Sequence, residues 1–217
     1  MGSALINESY LPDNFKYQII GGRILTNMAP LASPNHGIVS FGLGNIFGNY
    51  FKGKRCRVYH DNNYIRIDII AKEKNIKLPE KCKNDKFRPD VMVVCDRSID
   101  KLEGVVGAPK LVVEVSSKGT VEYDITIKKE VYALIGVEEY WIVSPYDKRI
   151  EIYVLENGVY NLYGMYYKYT QSEIEAIEEE NEYLKKGGIE IITEFSPPSF
   201  PDLIIKVDDV FDDLIEE

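Results

Sequence analysis

Short apolar runs separated by polar turns divide this chain into strands and helices. Val91-Met92-Val93-Val94-Cys95 and Leu111-Val112-Val113-Glu114-Val115 are the continuous runs that fill strands buried on both faces. Glu139-Tyr140-Trp141-Ile142-Val143 is a third strand, closed by Ser144-Pro145. Tyr64–Ala71 alternates as Tyr64-Ile65-Arg66-Ile67-Asp68-Ile69 and predicts a half-buried strand, following one at Arg55–Tyr59. Two hairpins are expected. One joins Tyr17-Gln18-Ile19-Ile20 to Arg23-Ile24-Leu25-Thr26 across Gly21-Gly22; the other joins Arg149–Leu155 to Val159–Tyr163 across Asn157-Gly158.

Helical spacing takes over elsewhere. Ile38, Phe41, Ile46 and Phe47 predict a helix from Asn35 to about Tyr50, in spite of four glycines. Thr120 is placed to cap a helix with Glu122 in its first turn, running to about Ile135 and ended by Gly136. Residues 171–187 are glutamate-rich, with Ile174, Ile177 and Tyr183 as a thin apolar face. Ile189–Thr193 and Leu203–Val207 read as late strands, and Val210–Leu214 as a short closing helix. The order strand, strand, helix, strand requires a crossover and at least one parallel strand pair. There is no internal repeat.

A chain of 217 residues, 45% hydrophobic and 28% charged, has the composition of a globular protein with a core. No apolar run reaches about 18 residues, and the N-terminus has no basic-then-apolar leader, so neither a membrane span nor a signal peptide is expected. Cys56, Cys82 and Cys95 are widely spaced, and with His36 and His60 they complete no zinc pattern. Free thiols in a cytoplasmic protein are the expectation. The net charge of −9 argues against a phosphate-rich partner until its distribution is considered. Residues 171–217 carry 15 acids against three bases, a net −12, which leaves residues 1–170 at +3.

Asp90 sits at the mouth of one buried strand and Glu114 inside another. A carboxylate flanked by Val112, Val113 and Val115 is costly to bury unless it is paired or holds a metal. Period-two geometry puts Val112, Glu114 and Ser116 on one face. If the two strands are neighbours, Asp90 and Glu114 converge on one divalent cation, and hard oxygen ligands suit Mg²⁺ or Mn²⁺. One helix later, Asp124 and Lys128 share a face with Val131, Tyr132 and Ile135, so that face looks toward the sheet. A lysine there is placed to orient an attacking water and to stabilise charge developing on a phosphoryl oxygen.

Taken together, these segments resemble a known family. Arg88-Pro89-Asp90, Val112-Val113-Glu114-Val115-Ser116, Tyr123-Asp124 through Lys128, Tyr132, Gly136-Val137 and Glu139-Tyr140-Trp141-Ile142-Val143-Ser144-Pro145 are similar to the Uma2 (DUF820) family of PD-(D/E)XK endonucleases. Tyr17 to Arg23, Met28-Ala29-Pro30 and Pro34-Asn35-His36 fit its opening, and Phe200-Pro201-Asp202-Leu203 and Val210-Phe211 its ending. The resemblance covers residues 15–163 and 195–214, with 171–187 as an acidic helical insertion in a single domain spanning 1–217. It implies an α/β (mixed α+β) restriction-endonuclease-like fold, a mixed β-sheet flanked by helices with an N-terminal hairpin. It further implies a Mg²⁺- or Mn²⁺-dependent endonuclease acting on nucleic acid, DNA first. Asp90 and Glu114 are then metal ligands and, with Lys128, the catalytic set; His36, Ser116 and Asp124 are candidates to contact substrate or support the site. A homodimer, common where two strands are cut, is the assembly to test.

The chain also departs from the pattern. Ser116 occupies the place of the family's usual lysine, two residues after Glu114. Lys128 is the helical substitute, with Lys129 one step away. Gln18 stands where the family commonly has glutamate and is given no metal role.

Taken singly, each residue has a plainer reading. Pro-Asp recurs at Pro12-Asp13 and Pro201-Asp202, Glu114 could be a buried ion-pair member, Lys128 a solvated helix residue, and His36 a capping or packing group. The basic stretch Lys72–Arg88 is a solvated loop or a phosphate-binding arm. The missing lysine and the acidic tail motivate an alternative function, a non-catalytic binding or assembly protein of the same fold.

Overall fold

The structure, a computed structural model, describes residues 17–20, 23–26, 33–61, 63–82, 86–117, 124–184 and 188–215. The chain opens with a hairpin, β1 (Tyr17–Ile20) and β2 (Arg23–Thr26), followed by α1 (Pro34–Phe51). Then come β3 (Arg57–His60), β4 (Ile65–Arg66), α2 (Ile67–Lys74), β5 (Lys86–Phe87) and β6 (Val91–Val94). Two short strands, β7 (Asp100–Lys101) and β8 (Gly104–Val105), precede β9 (Leu111–Val115). A π-helical turn, Asp124–Lys128, runs into α3 (Lys129–Ile135), and β10 (Glu139–Ser144), β11 (Arg149–Glu156) and β12 (Val159–Tyr167) follow. The chain finishes with α4 (Gln171–Leu184), β13 (Glu194–Phe195), β14 (Ile205–Lys206) and α5 (Val207–Phe211).

Six strands form one mixed sheet in the order β12-β11-β10-β9-β6-β3. The expected parallel pair is β9 with β10; β9 and β6 run antiparallel. The three apolar runs are its central strands, buried on both faces. Val91, Val93, Val113, Val115, Trp141 and Val143 face α1, α5 and the C-terminal strands. Met92, Val94, Val112, Tyr140 and Ile142 face α2 and α3. The alternating side-chain directions of adjacent strands thus build two separate cores.

Ser33 and Pro34 start α1, the Ser33 hydroxyl accepting the His36 N–H at 3.3 Å and Pro34 filling the first turn. The helix survives its glycines because Val39, Leu43, Phe47 and Phe51, four residues apart, are all buried. One of them sits at a tight approach: a Cβ on Gly44 would stand 3.2 Å from the His60 ring, so the ring would have to shift slightly to admit a side chain. Gly136 ends α3 at φ 93°, and Asn157 and Gly158 turn the β11–β12 hairpin at φ 53° and 81°.

Three expectations need correction. Of the strand read at Tyr64–Ala71, only β4 exists; the rest is α2, because Ile67, Ile70 and Ala71 pack at helical spacing and Asn75 closes the helix in a left-handed conformation. Ile189–Thr193 forms no strand, since the amide side chain of Asn181 takes both the N–H and the carbonyl of Ile189. Residues Leu203–Val207 pair only at β14, and the closing helix begins at Val207 rather than Val210. Thr120 and Glu122, read as the cap and first turn of a helix, lie outside the described residues.

The free-thiol expectation is also overturned. The register that pairs Arg57 with Val94 sets Cys56 opposite Cys95, and the two form a disulfide. The thiol argument for a reducing compartment is thereby removed. Unreduced, unfolded protein should show one titratable thiol, Cys82, and reduction should lower unfolding stability by about 2–4 kcal/mol. Three thiols without reductant would refute the bond.

Glu139 is fully buried on the α1 side of the sheet. It accepts hydrogen bonds from the Trp141 indole and the Ser199 backbone, both at 2.7 Å, and so ties the C-terminal segment to β10. Burial lifts its carboxyl above the usual glutamate range, although those bonds and Lys110 pull the other way. A folded pKa above the unfolded one gives stability that is present at low pH and lost as pH rises through the folded value. Urea unfolding across a pH series should therefore show wild type losing ground to Glu139→Gln above about pH 4.3. A difference independent of pH would refute that.

Candidate active site

Val91 pairs with Val113 across β6 and β9, and the next pair in that register is Asp90 with Glu114. The expected convergence of the two carboxylates thus follows from strand pairing. Asp90 Oδ2 accepts the Val115 N–H at 2.7 Å, which pins the aspartate across the strand ends. Its Oδ1 lies 3.3 Å from His36 Nε2, brought in by the first turn of α1. Burial opposes charge on Asp90, but the His36 bond and charge, the Lys128 charge and the Val115 N–H outweigh it and hold the carboxyl below the usual range. For His36 burial likewise opposes charge, and Asp90, Glu114 and Asp61 more than compensate, raising the imidazole.

Glu114 is 2% exposed and Lys128 4%. Lys128 Nζ stands 2.9 Å from Glu114 Oε2, and the Tyr132 hydroxyl donates to Oε1 at 2.7 Å. Lys128 and Tyr132 are four residues apart and present one face to the glutamate. Lys128 ends the π-helical turn, and Lys129 lies elsewhere, its ammonium 3.3 Å above the Tyr153 ring. The structure therefore brings together Asp90, Glu114, Lys128 and His36. It does not bring Ser116 to them: that buried residue donates its hydroxyl to the Val143 carbonyl at 3.3 Å. Asp124 lies on the π-helical turn, but its side chain is outside the described set.

Two features go beyond the sequence expectations. Tyr132 is expected only as an apolar neighbour, yet its hydroxyl shares Glu114 with the lysine; a tyrosine one turn after the lysine is the available signal. Glu151 pairs in register with Ile142, itself the partner of Glu114, so a third acid stands in the same row of the sheet as Asp90 and Glu114. Arg149 Nε and the Tyr153 hydroxyl hold it, at 2.8 and 2.5 Å.

The donor set fits a hard divalent cation. The oxygens of Asp90 and Glu114 are held by the Val115 N–H, His36, Lys128 and the Tyr132 hydroxyl, and a carboxylate's two oxygens offer about four lone-pair sites, enough to take an ion as well. No group of three His, Cys, Asp or Glu side chains among the described residues could enclose an ion. Mg²⁺ commonly binds through one or two carboxylates and keeps waters or substrate phosphates as its other ligands.

Residues 6–185 match the family described as Uma2, putative restriction endonuclease. The chain belongs to the Uma2 family. A solved structure described as a putative nuclease belonging to DUF820, from Anabaena variabilis, has the same fold. Its TM-score is 0.62 at 13% identity, with 93% of both chains covered. An uncharacterized protein of Synechocystis sp. is 31% identical over 122 residues, 56% of this chain and 57% of that protein. The match thus spans little more than half of that relative. The Uma2 match ends within the acidic segment that follows β12, and the fold is the mixed sheet with flanking helices that the resemblance implied. Among the described residues no helix is long and apolar enough to cross a membrane.

Proposed function

We propose that this chain is a divalent-metal-dependent endonuclease that hydrolyses phosphodiester bonds in DNA. The observation that carries the reading is the in-register pair Asp90 and Glu114 with the buried ammonium of Lys128 against Glu114. Asp90 and Glu114 would hold Mg²⁺ or Mn²⁺. When bound, the ion supplies a lowered water pKa and a polarised phosphate. The Val115 N–H and His36 hold Asp90 in place. Lys128 is positioned to stabilise charge that develops on a phosphoryl oxygen as the water oxygen bonds to phosphorus and the ester bond breaks.

The test is incubation of the purified chain with plasmid DNA and Mn²⁺ or Mg²⁺. Cleavage that EDTA stops is the expected result; cleavage that persists in EDTA would defeat the proposal. A second reading, a non-catalytic member of the fold, draws on the fact that Lys128 and Tyr132 between them engage both Glu114 oxygens. It predicts no Mn²⁺ binding by calorimetry, so tight binding lost on Glu114→Ala would reject it.

A further inference from the structure

Arg88 stands two residues before Asp90, so the two Cα atoms are within about 7 Å along the chain. Its Nη2 donates to the Tyr64 hydroxyl at 2.7 Å, and the guanidinium carbon lies 4.6 Å from the centre of the Tyr64 ring. Nε and Nη1 are enclosed by protein and have no hydrogen-bond partner among the described residues. The surrounding charges differ in this respect: Asp90 has His36, and Glu114 has Lys128. No carboxylate among the described residues forms an ion pair with Arg88. A guanidinium always carries its charge, so the donors cannot be relieved by deprotonation. Buried donors without partners are rare in folded proteins and point to a missing ligand or ion.

We propose that Arg88 is a phosphate-binding residue of this site, taking non-bridging oxygens of the phosphodiester strand that lies across Asp90 and Glu114. The inference rests on the endonuclease reading and adds a substrate contact to it. Tyr64 acts as the platform, its ring carrying the guanidinium by cation–π attraction and its hydroxyl fixing one nitrogen. Arg88 as a residue is only partly buried. A turn of the guanidinium off the Tyr64 hydroxyl frees Nη2, which forms a planar fork with Nε or with Nη1, and that fork matches phosphate geometry. Between the two readings of the Lys72–Arg88 stretch, a solvated loop and a phosphate arm, the unmatched donors single out its last residue for the second.

The test is fluorescence anisotropy of a labelled DNA duplex in EDTA, across a salt series, with wild type, Arg88→Met and Arg88→Lys. Arg88→Met should bind about tenfold more weakly, and the slope of log affinity against log salt should shrink by about one unit. Its melting temperature should not fall, because it removes an unmatched buried charge. Arg88→Lys should keep the wild-type slope with intermediate affinity. Wild-type affinity and slope in Arg88→Met would overturn the inference and leave the endonuclease reading standing. Wild type that binds no DNA in EDTA would overturn this inference, while the endonuclease reading is decided by the plasmid cleavage test. If Arg88→Met does not fold, Arg88→Lys decides: weaker binding at wild-type melting temperature supports the contact, and unchanged affinity refutes it.

Discussion

Glu114→Gln should abolish the proposed metal-dependent DNA cleavage, with an expected fall of about 10³-fold or more in rate. The substitution keeps the volume and the position on β9 but removes the negative charge. Two roles would end together: the proposed hard anionic oxygen for a divalent ion, and the counter-charge that holds Lys128 at 2.9 Å. Asp90→Asn should act to a similar extent, because it removes the opposite member of the pair, yet an amide oxygen can still accept the Val115 N–H. Single-turnover rates on one DNA substrate, with circular dichroism to confirm folding, measure both. Folded Glu114→Gln cleaving within tenfold of wild type would end the assignment of Glu114 as a ligand.

The parts of this site differ in how legible they are in the amino-acid sequence. Asp90 and Glu114 can be read because each interrupts or borders a run of buried valines, where an acid must be explained. Their convergence then needs only that β6 and β9 be neighbours, and the two buried runs read as consecutive strands, which usually are neighbours. Lys128 can be read from helix spacing, but its separation from Lys129 depends on the π-helical turn, which no residue pattern in Asp124–Lys128 announces. His36 can be read as a supporting candidate from the family resemblance, but its contact with Asp90 cannot. That contact depends on where the first turn of α1 lies against a strand end 54 positions later.

The fold misreadings have the same origin. Ile65, Ile67 and Ile69 alternate as in a strand, while Ile67, Ile70 and Ala71 repeat as in a helix, and the segment satisfies both periods. Packing against the α2 side of the sheet decides between them. Cys56 and Cys95 look like stray thiols because their partnership depends on antiparallel register, a property of two strands and not of spacing. The central strands, by contrast, follow from local composition alone, since runs of valine and isoleucine suit a sheet buried on both faces.

Lys128→Met should cost about 3–5 kcal/mol of unfolding stability and, on the proposed reading, leave little or no cleavage. Glu114 and Lys128 are both almost inaccessible to water, so solvent does not screen the loss. Removing the ammonium leaves a buried carboxylate without its counter-charge, and the Tyr132 hydroxyl, a neutral donor, cannot replace it. The double variant Glu114→Gln/Lys128→Met leaves neither charge behind and should recover much of that stability, since a pair replaced by neutral groups of like volume is tolerated better than half a pair. The cycle should therefore be strongly non-additive, with a coupling of about 1–3 kcal/mol. Lys129→Met, which loses the contact over Tyr153 and the attraction to Glu151, should cost about 1 kcal/mol or less and keep cleavage. Urea unfolding of the variants and wild type, with cleavage measured alongside, separates the two lysines. An additive cycle would show that Lys128 and Glu114 are not coupled, and cleavage lost with Lys129 and kept without Lys128 would reverse the assignment of the catalytic lysine.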